Sequence, residues 1–475
     1  MEKILSSRPF IGGQFVDGLS HESLDILDKY SGDLITNVDF CNKQQIDQTL
    51  SICDQAFEKY KKFSMADRAE ILKEIAVKLE KFQETFAELI CVEAGKPIDY
   101  ARIEVKRSIE NLKIASRHAY YNFEETVNFP DQSGLTGHVK KFPIGTVLGI
   151  SPYNFPLNLA LHKIAPALVV GNPIIIKPSP YAPLTMLSFC TLVENLGIPE
   201  GMINVVMCDN DVAQYMVSHE KIKLLSFTGS AEIGWKLKSL ANKKKVVLEL
   251  GGNAACVVDK DVDISSVATK VCNGSFLYSG QVCISTQRVY VHDEIYEEFV
   301  EELVKNTEKL NCGNPEMEGV VVGPLIDEEH LDRIRDWVVK AVSDGAEVLT
   351  GGYIIDEEKN LYAPTVLTNT SPDMEVWQEE AFGPVICIEK SDSFSDALEL
   401  VNDSRYGLQA GVFTDNIAKM KEAFESLDVG AVIINNVPGF RADHMPYGGI
   451  KDSGLGREGI LDSIEHMSEK KLLVY

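Results

Sequence analysis

Between residues 145 and 250, short apolar runs alternate with helix-length segments. This alternation limits the folds open to the chain more than any other feature. The runs lie at 146–150, 174–176, 203–206, 224–227 and 246–250. They are rich in β-branched residues and show no polar alternation, so each is expected to be covered on both faces. Strands of that kind separated by helices make a doubly wound parallel α/β sheet, which binds ligands at the carboxyl ends of its strands. A second αβ stretch, from about 252 to 452, carries further strands at 288–291 and 431–434. Upstream, Ile71, Ile75, Leu79, Phe82, Phe86 and Leu89 recur at three- and four-residue steps, which predicts one buried stripe on one long helix. Ser64 and Asp67 supply its capping box. Extended segments at 138–142 and 470–475 have no partner nearby in sequence, so they are expected to pair with each other or with another subunit.

Charge and cysteine usage narrow the function classes. Forty-six basic against 71 acidic residues leave a net charge of −25. A field that negative repels phosphate backbones and anionic lipid, so neither nucleic acid nor a membrane is the expected partner. Ten cysteines without a C-x-x-C pair fit neither a disulfide framework nor a zinc knuckle. Reduced thiols, a cytoplasmic location and no metal are expected. The first residues lack the features of a signal or transit peptide. The apolar stretch 164–176 is interrupted by Pro166, Gly171 and Pro173 and is too short to span a bilayer.

Four segments carry possible chemistry. In Ser151-Pro-Tyr-Asn-Phe-Pro156 two prolines stiffen a turn after a strand and can aim the Asn154 amide as an oxyanion donor. An ordinary proline-rich turn is the plainer alternative. Phe227-Thr-Gly-Ser-Ala-Glu-Ile-Gly234 joins a strand to a helix whose first N–H groups favour an anion, although its spacing matches no dinucleotide fingerprint or phosphate loop. Glu249 stands inside the apolar run Leu248-Glu-Leu-Gly-Gly252, where a carboxylate is costly unless paired, neutral or functional. Apolar surroundings raise its pKa toward that of a general base; a structural salt bridge remains open. Cys283, in Ser279-Gly-Gln-Val-Cys-Ile-Ser285, has small and polar neighbours and is the cysteine best placed to be reachable.

An amide donor, a nucleotide-type turn, a carboxylate and a thiol in this order resemble the aldehyde dehydrogenase superfamily. The resemblance continues through Glu379-Glu-Ala-Phe-Gly-Pro384, Tyr406-Gly-Leu408, Pro446-Tyr-Gly-Gly-Ile-Lys451 and Gly454-Leu-Gly-Arg-Glu458. It implies an enzyme in which Cys283 attacks the aldehyde, and Asn154 with the Cys283 backbone N–H holds the oxyanion. Glu249 then activates water to release a free acid, and Glu458 relays a proton. It also implies NAD or NADP as cofactor, held by Ser151, Pro152, Lys177, Gly229, Ser230, Glu380 and Phe382. Pro180 stands where many NAD-preferring members carry a glutamate, so NADP is expected to be tolerated. The implied fold has a nucleotide-binding domain (1–121 and 144–251), a catalytic domain (252–452) and an oligomerisation element (122–143 and 468–475). A homodimer or homotetramer follows.

Gln409-Ala-Gly411 and Phe440-Arg-Ala-Asp-His-Met-Pro-Tyr447 look most like the lactaldehyde, phosphonoacetaldehyde and sulfolactaldehyde dehydrogenases. By that similarity Arg107, His162 and Arg441 border the substrate. A helix-surface charge, a core histidine and a loop ion pair are their plainer readings. Val282 and Phe155 depart from the residues usual in phosphate-handling members. A short aldehyde with a hydroxyl or small anionic group is therefore expected. The alternatives are a catalytically silent relative kept as a structural or binding protein, and a cofactor-free Cys–His hydrolase.

Overall fold

The computed structural model describes residues 5–120, 124–131 and 134–475. Residues 1–4 and 121 of the expected nucleotide-binding domain, and 122–123 and 132–133 of the expected oligomerisation element, lie outside the described residues.

The apolar runs become the centre of an eight-stranded sheet, in the order Gln14–Phe15, Phe10–Ile11, Ile203–Val205, Ile174–Lys177, Val147–Ile150, Leu224–Thr228, Lys245–Glu249 and Gly454–Leu455. The middle five strands are parallel. All four residues of Val147–Ile150 and of Ile174–Lys177 are buried, as strands sandwiched between helices must be. From Val147–Ile150 the chain steps outward to Ile203–Val205, then returns to Leu224–Thr228 on the other side. That reversal opens a crevice at the carboxyl ends of Val147–Ile150 and Leu224–Thr228.

A seven-stranded sheet follows, in the order Glu347–Thr350, Thr365–Thr368, Val385–Ser391, Thr286–His292, Ala254–Val258, Gln409–Phe413 and Ala431–Ile434. It is parallel except for its first strand. Lys245–Glu249 of the first sheet leads through residues 250–253 into Ala254–Val258 of the second. The carboxyl edge of one sheet therefore meets the amino edge of the other. Gly252 sits at the join, where a Cβ would lie 2.5 Å from the Cys283 carbonyl oxygen. The two isolated segments pair with each other: Thr136–Pro143 lies antiparallel between Ser468–Val474 and Glu124–Asn128.

The apolar stripe upstream does not run along one helix. Phe82, at φ −109° and ψ 18°, separates helix Met65–Lys81 from helix Gln83–Ala94. Ile71, Ile75 and Leu79 are buried in the first helix, and Phe86 and Leu89 in the second. A one-residue break that preserves the burial phase leaves the periodicity intact, so only packing against Ile98–His118 and Leu184–Val193 reveals it. The Ser64 capping box forms: Asp67 N donates to Ser64 Oγ at 3.2 Å and Ser64 N to Asp67 Oδ2 at 2.8 Å.

Two central helices begin without a local side-chain cap, Asn158–Val170 and Leu184–Val193. Buried glutamates from neighbouring helices supply the missing acceptors. Leu157 N and Asn158 N donate to Glu104 Oε1 at 3.0 and 3.1 Å, and Leu184 N and Thr185 N donate to Glu93 at 2.7 and 2.8 Å. Lys96 Nζ donates to Glu104 Oε2 at 2.5 Å, with both side chains fully buried. Glu104→Ala strands an ammonium and two N–H groups in the interior. Urea unfolding should show a loss of roughly 3–5 kcal/mol, as for other broken buried pairs; a loss under about 1 kcal/mol would contradict this account.

Candidate active site

Cys283 lies in the loop before strand Thr286–His292. Tyr278 and Ser279 enter that loop in the left-handed region, at φ 52° and 57°. Gln281 fastens it. Its Oε1 accepts from the Tyr153 hydroxyl at 3.2 Å and Ile326 N at 3.0 Å, and its Nε2 donates to the Pro324 carbonyl at 3.1 Å. Asn154 Nδ2 donates to the Gln281 carbonyl at 2.9 Å, which ties the proline-flanked turn to the cysteine loop. All ten cysteines are free, and only Cys283 and Cys312 are partly exposed. Cys283 Sγ stands 3.0 Å from Tyr447 Oη. Burial pushes its thiol up to about 11, against the opposing pull of the Tyr447 hydrogen bond.

Two carboxyl groups nearby are tuned in opposite directions. Glu249 ends its strand, opposite Thr228 on one side and Gly454 on the other. Both its oxygens are buried without a hydrogen-bond partner. Burial, and then the charge of Glu458, raise it well above the ordinary carboxylate range. Glu458 binds Lys163 Nζ through Oε1 at 3.1 Å and Arg441 Nη2 through Oε2 at 2.8 Å. Burial would raise Glu458 too, but the charges of Lys163 and Arg441 outweigh it and hold the group at about 2. Their environments push the two carboxyl groups apart, Glu249 up and Glu458 down, the pattern of groups given different tasks. Gly448 makes room for the first, since a Cβ there would lie 2.7 Å from Glu249 Oε1.

Arg107, His162 and Arg441 come together here, each already held by a carboxylate. Arg107 grips Asp443 through Nε at 3.1 Å and Nη2 at 2.7 Å. His162 Nε2 and Asn158 Nδ2 reach Asp443 Oδ1 at 2.9 and 3.1 Å. Burial would raise Asp443, but the His162 and Arg107 hydrogen bonds drive it far below the ordinary range. Burial lowers His162, so its ring is mainly neutral at pH 7. Arg441, besides binding Glu458, lies with its guanidinium carbon 3.8 Å from the Tyr447 ring centroid.

The crevice of the first sheet gathers the remaining residues. Ser151 and Pro152 follow Val147–Ile150, and Ser151 Oγ is buried without a partner. Lys177 ends its strand buried, with Nζ 3.3 Å from the Pro178 carbonyl, and burial lowers its ammonium. Gly229 and Ser230 lead into helix Ala231–Leu240, where Ser230 makes no side-chain capping bond. The first N–H groups of that helix therefore lack a capping side chain. At the second sheet, Glu380 Oε1 accepts from Gly252 N at 3.1 Å, and burial raises Glu380 to about 7. Phe382 lies beside it with φ 48°. Gly251 allows this approach, for a Cβ there would sit 2.2 Å from Glu380 Oε2.

Sequence reading did not single out Tyr447, Gln281, Lys163 or Asp443. Tyr447 and Gln281 stand inside segments that attracted notice for other residues. Lys163, a cation within an otherwise apolar helix, left a detectable signal. Asp443 left none, because its partners are far away in the chain.

The model of the "Aldehyde dehydrogenase family" matches residues 15–473. A 3-sulfolactaldehyde dehydrogenase of Priestia aryabhattai is 37% identical over 469 residues, 97% of each chain. Aldehyde dehydrogenase 21 of Physcomitrella patens, solved in complex with the reaction product succinate, superposes with a TM-score of 0.96 at 38% identity over 98% of both chains. A glyceraldehyde-3-phosphate dehydrogenase of Methanocaldococcus jannaschii complexed with NADP gives a TM-score of 0.92 at 35% identity, covering 96% of this chain and 100% of that one. The thiol, the tuned carboxyl pair and the crevice of the first sheet thus occur in a chain that belongs to the aldehyde dehydrogenase family, an enzyme oxidising an aldehyde with NAD or NADP.

Proposed function

We propose that this enzyme oxidises a short aldehyde bearing a hydroxyl group to its carboxylic acid, with Cys283 as nucleophile and Glu249 as base. The observation that carries the assignment of roles is the unequal pair: Glu249 buried without a partner, Glu458 saturated by Lys163 and Arg441. The Cys283 thiol gives up its proton to solvent, and the thiolate attacks the carbonyl carbon. The oxyanion is then held by Asn154 Nδ2, which has a second hydrogen beside the one given to Gln281, and by the Cys283 backbone N–H. A bound NAD(P) would supply the hydride acceptor that the oxidation requires. The acyl group then sits on Cys283 as a thioester, and Glu249, once ionised, takes a proton from water as the hydroxyl adds to the carbonyl carbon. The C–S bond breaks, acid leaves and the sulfur is regenerated. Glu458, expected to relay a proton, is held ionised by Lys163 and Arg441 and would instead anchor the network beside Glu249.

The crevice fits a dinucleotide. A buried cation at Lys177, the orphaned Ser151 hydroxyl and the uncapped helix start at Ser230 are donors suited to ribose and phosphate oxygens. Pro152 would shape the crevice, Gly229 would admit the phosphates, and Glu380 with Phe382 would hold the nicotinamide end. On this reading residues 1–121 and 144–251 bind the nucleotide, 252–452 carry catalysis, and 122–143 with 468–475 join subunits.

Lactaldehyde and 3-sulfolactaldehyde dehydrogenases are among the relatives, and both names denote hydroxyaldehydes. Arg107, His162 and Arg441 would border the substituent, but their carboxylate partners leave no unpaired cation among the three. That favours a neutral hydroxyl over an anionic group. The solved relative with succinate supports a second reading, an aldehyde carrying a carboxylate. Free thiols support a cytoplasmic location, and no helix among the described residues is long and apolar enough to cross a membrane.

Cys283→Ala should abolish NAD(P)H formation. Glu249→Gln should keep a first-turnover burst but lower steady-state kcat by about 10²–10⁴, with thioester accumulating by mass spectrometry. Because a base must be ionised and Glu249 is raised, deacylation in the native enzyme should accelerate with rising pH, and the variant should lose that limb. In the cofactor-free enzyme, iodoacetamide labelling of Cys283 should rise by about tenfold per pH unit from 7 to 10, since only the thiolate reacts and its pKa lies near 11. NADP should support turnover at saturating aldehyde, with NAD-only activity the contrary result. Deleting 470–475 should shift sedimentation toward the monomer; an unchanged oligomer would remove the assignment of that strand.

A further inference from the structure

The Tyr447 hydroxyl is more firmly placed than a thiol partner requires. Tyr447 is 3% exposed and packs with Ile284, Leu408, Val282 and Met445, apolar side chains that offer its hydroxyl little competition. Its backbone is clamped to Glu458 in both directions, Tyr447 N to Glu458 O at 2.7 Å and Glu458 N to Tyr447 O at 2.6 Å. Arg441 covers the ring face at 3.8 Å while bonded to Glu458. The phenol is thus locked from below and aimed at Cys283 Sγ, 3.0 Å away. Sulfur is a weak acceptor, so this arrangement leaves much of the hydroxyl's bonding capacity unused in the resting enzyme.

Bond lengths connect this group to the substrate. Once Sγ is joined to the aldehyde carbon, an oxygen on the next carbon stands about 3 Å from the sulfur when gauche to it and about 4 Å when anti, two ordinary single bonds beyond the carbon attacked. A hydroxyl already within hydrogen-bond distance of that sulfur is within reach of that oxygen. We propose that Tyr447 is the specificity-determining residue that recognises the 2-hydroxyl of the aldehyde, exchanging its bond to the resting thiol for one to the substrate. A phenol both donates and accepts, so it suits an alcohol, whereas a 2-deoxy aldehyde would leave it buried and unpaired once the sulfur is consumed. The inference rests on the hydroxyaldehyde reading and names the atom that enforces it.

The test compares lactaldehyde with propionaldehyde, which differ by that one oxygen. In the native enzyme the ratio of kcat/KM should be well above one, and Tyr447→Phe should cut it at least tenfold. The substitution removes one atom, and a thermal melt shows whether the fold is kept. A second measurement needs no variant: lactate should protect Cys283 from iodoacetamide at concentrations at least tenfold lower than propionate. A native ratio near one would sink the hydroxyaldehyde reading itself. A high native ratio that survives Tyr447→Phe, a loss shared equally by both aldehydes, or equal protection by the two acids would overturn the role of Tyr447 alone.

Discussion

The chemistry of the site depends on how two buried cations are shared. Lys163 and Arg441 both bind Glu458, and neither hydrogen-bonds Glu249. In an interior of low effective dielectric that asymmetry shifts two otherwise similar carboxyl groups in opposite directions, Glu249 up and Glu458 down. Glu458 stays ionised and anchors the network. Glu249 is left as the group able to gain and lose a proton. Moving either cation across the chamber would merge the two roles.

The network also fixes the geometry around the sulfur. Glu458 clamps the Tyr447 backbone and holds the arginine that covers the Tyr447 ring, while Lys163 ties Glu458 to Thr228 at the end of a first-sheet strand. Gln281 and Asn154 make the corresponding link between the cysteine loop and the turn after Val147–Ile150. The second link crosses from the first sheet to the loop before Thr286–His292 of the second, and Tyr447 extends the first to Cys283 in that loop. The cleft is therefore assembled from the carboxyl edge of one sheet and the amino edge of the other, and glycines at 251, 252 and 448 let the charged and reactive groups approach closely.

Much of this was legible before any coordinates. Cys283, Glu249 and Asn154 each broke a local rule: a thiol among small polar residues, a carboxylate in an apolar run, an amide between two prolines. Such violations are where function shows in a sequence. Arg107 and His162 were less legible because their meaning depends on Asp443, more than 280 positions away. The break at Phe82 was invisible for a related reason, since the burial phase continues across it.

The five central strands of the first sheet, their parallel character and the order of the reactive groups are consequences of local composition, because β-branched runs buried on two faces have few other solutions. Pairing was decided by the tertiary structure. It placed the carboxylates of Glu104 and Glu93 at the starts of two helices that lack caps of their own, set the two isolated strands side by side, and gave both Lys163 and Arg441 to Glu458. These choices turn on distances between residues remote in the chain, and protonation follows distance. The amino-acid order therefore names the groups that can react, and only their packing determines which of them carries a proton.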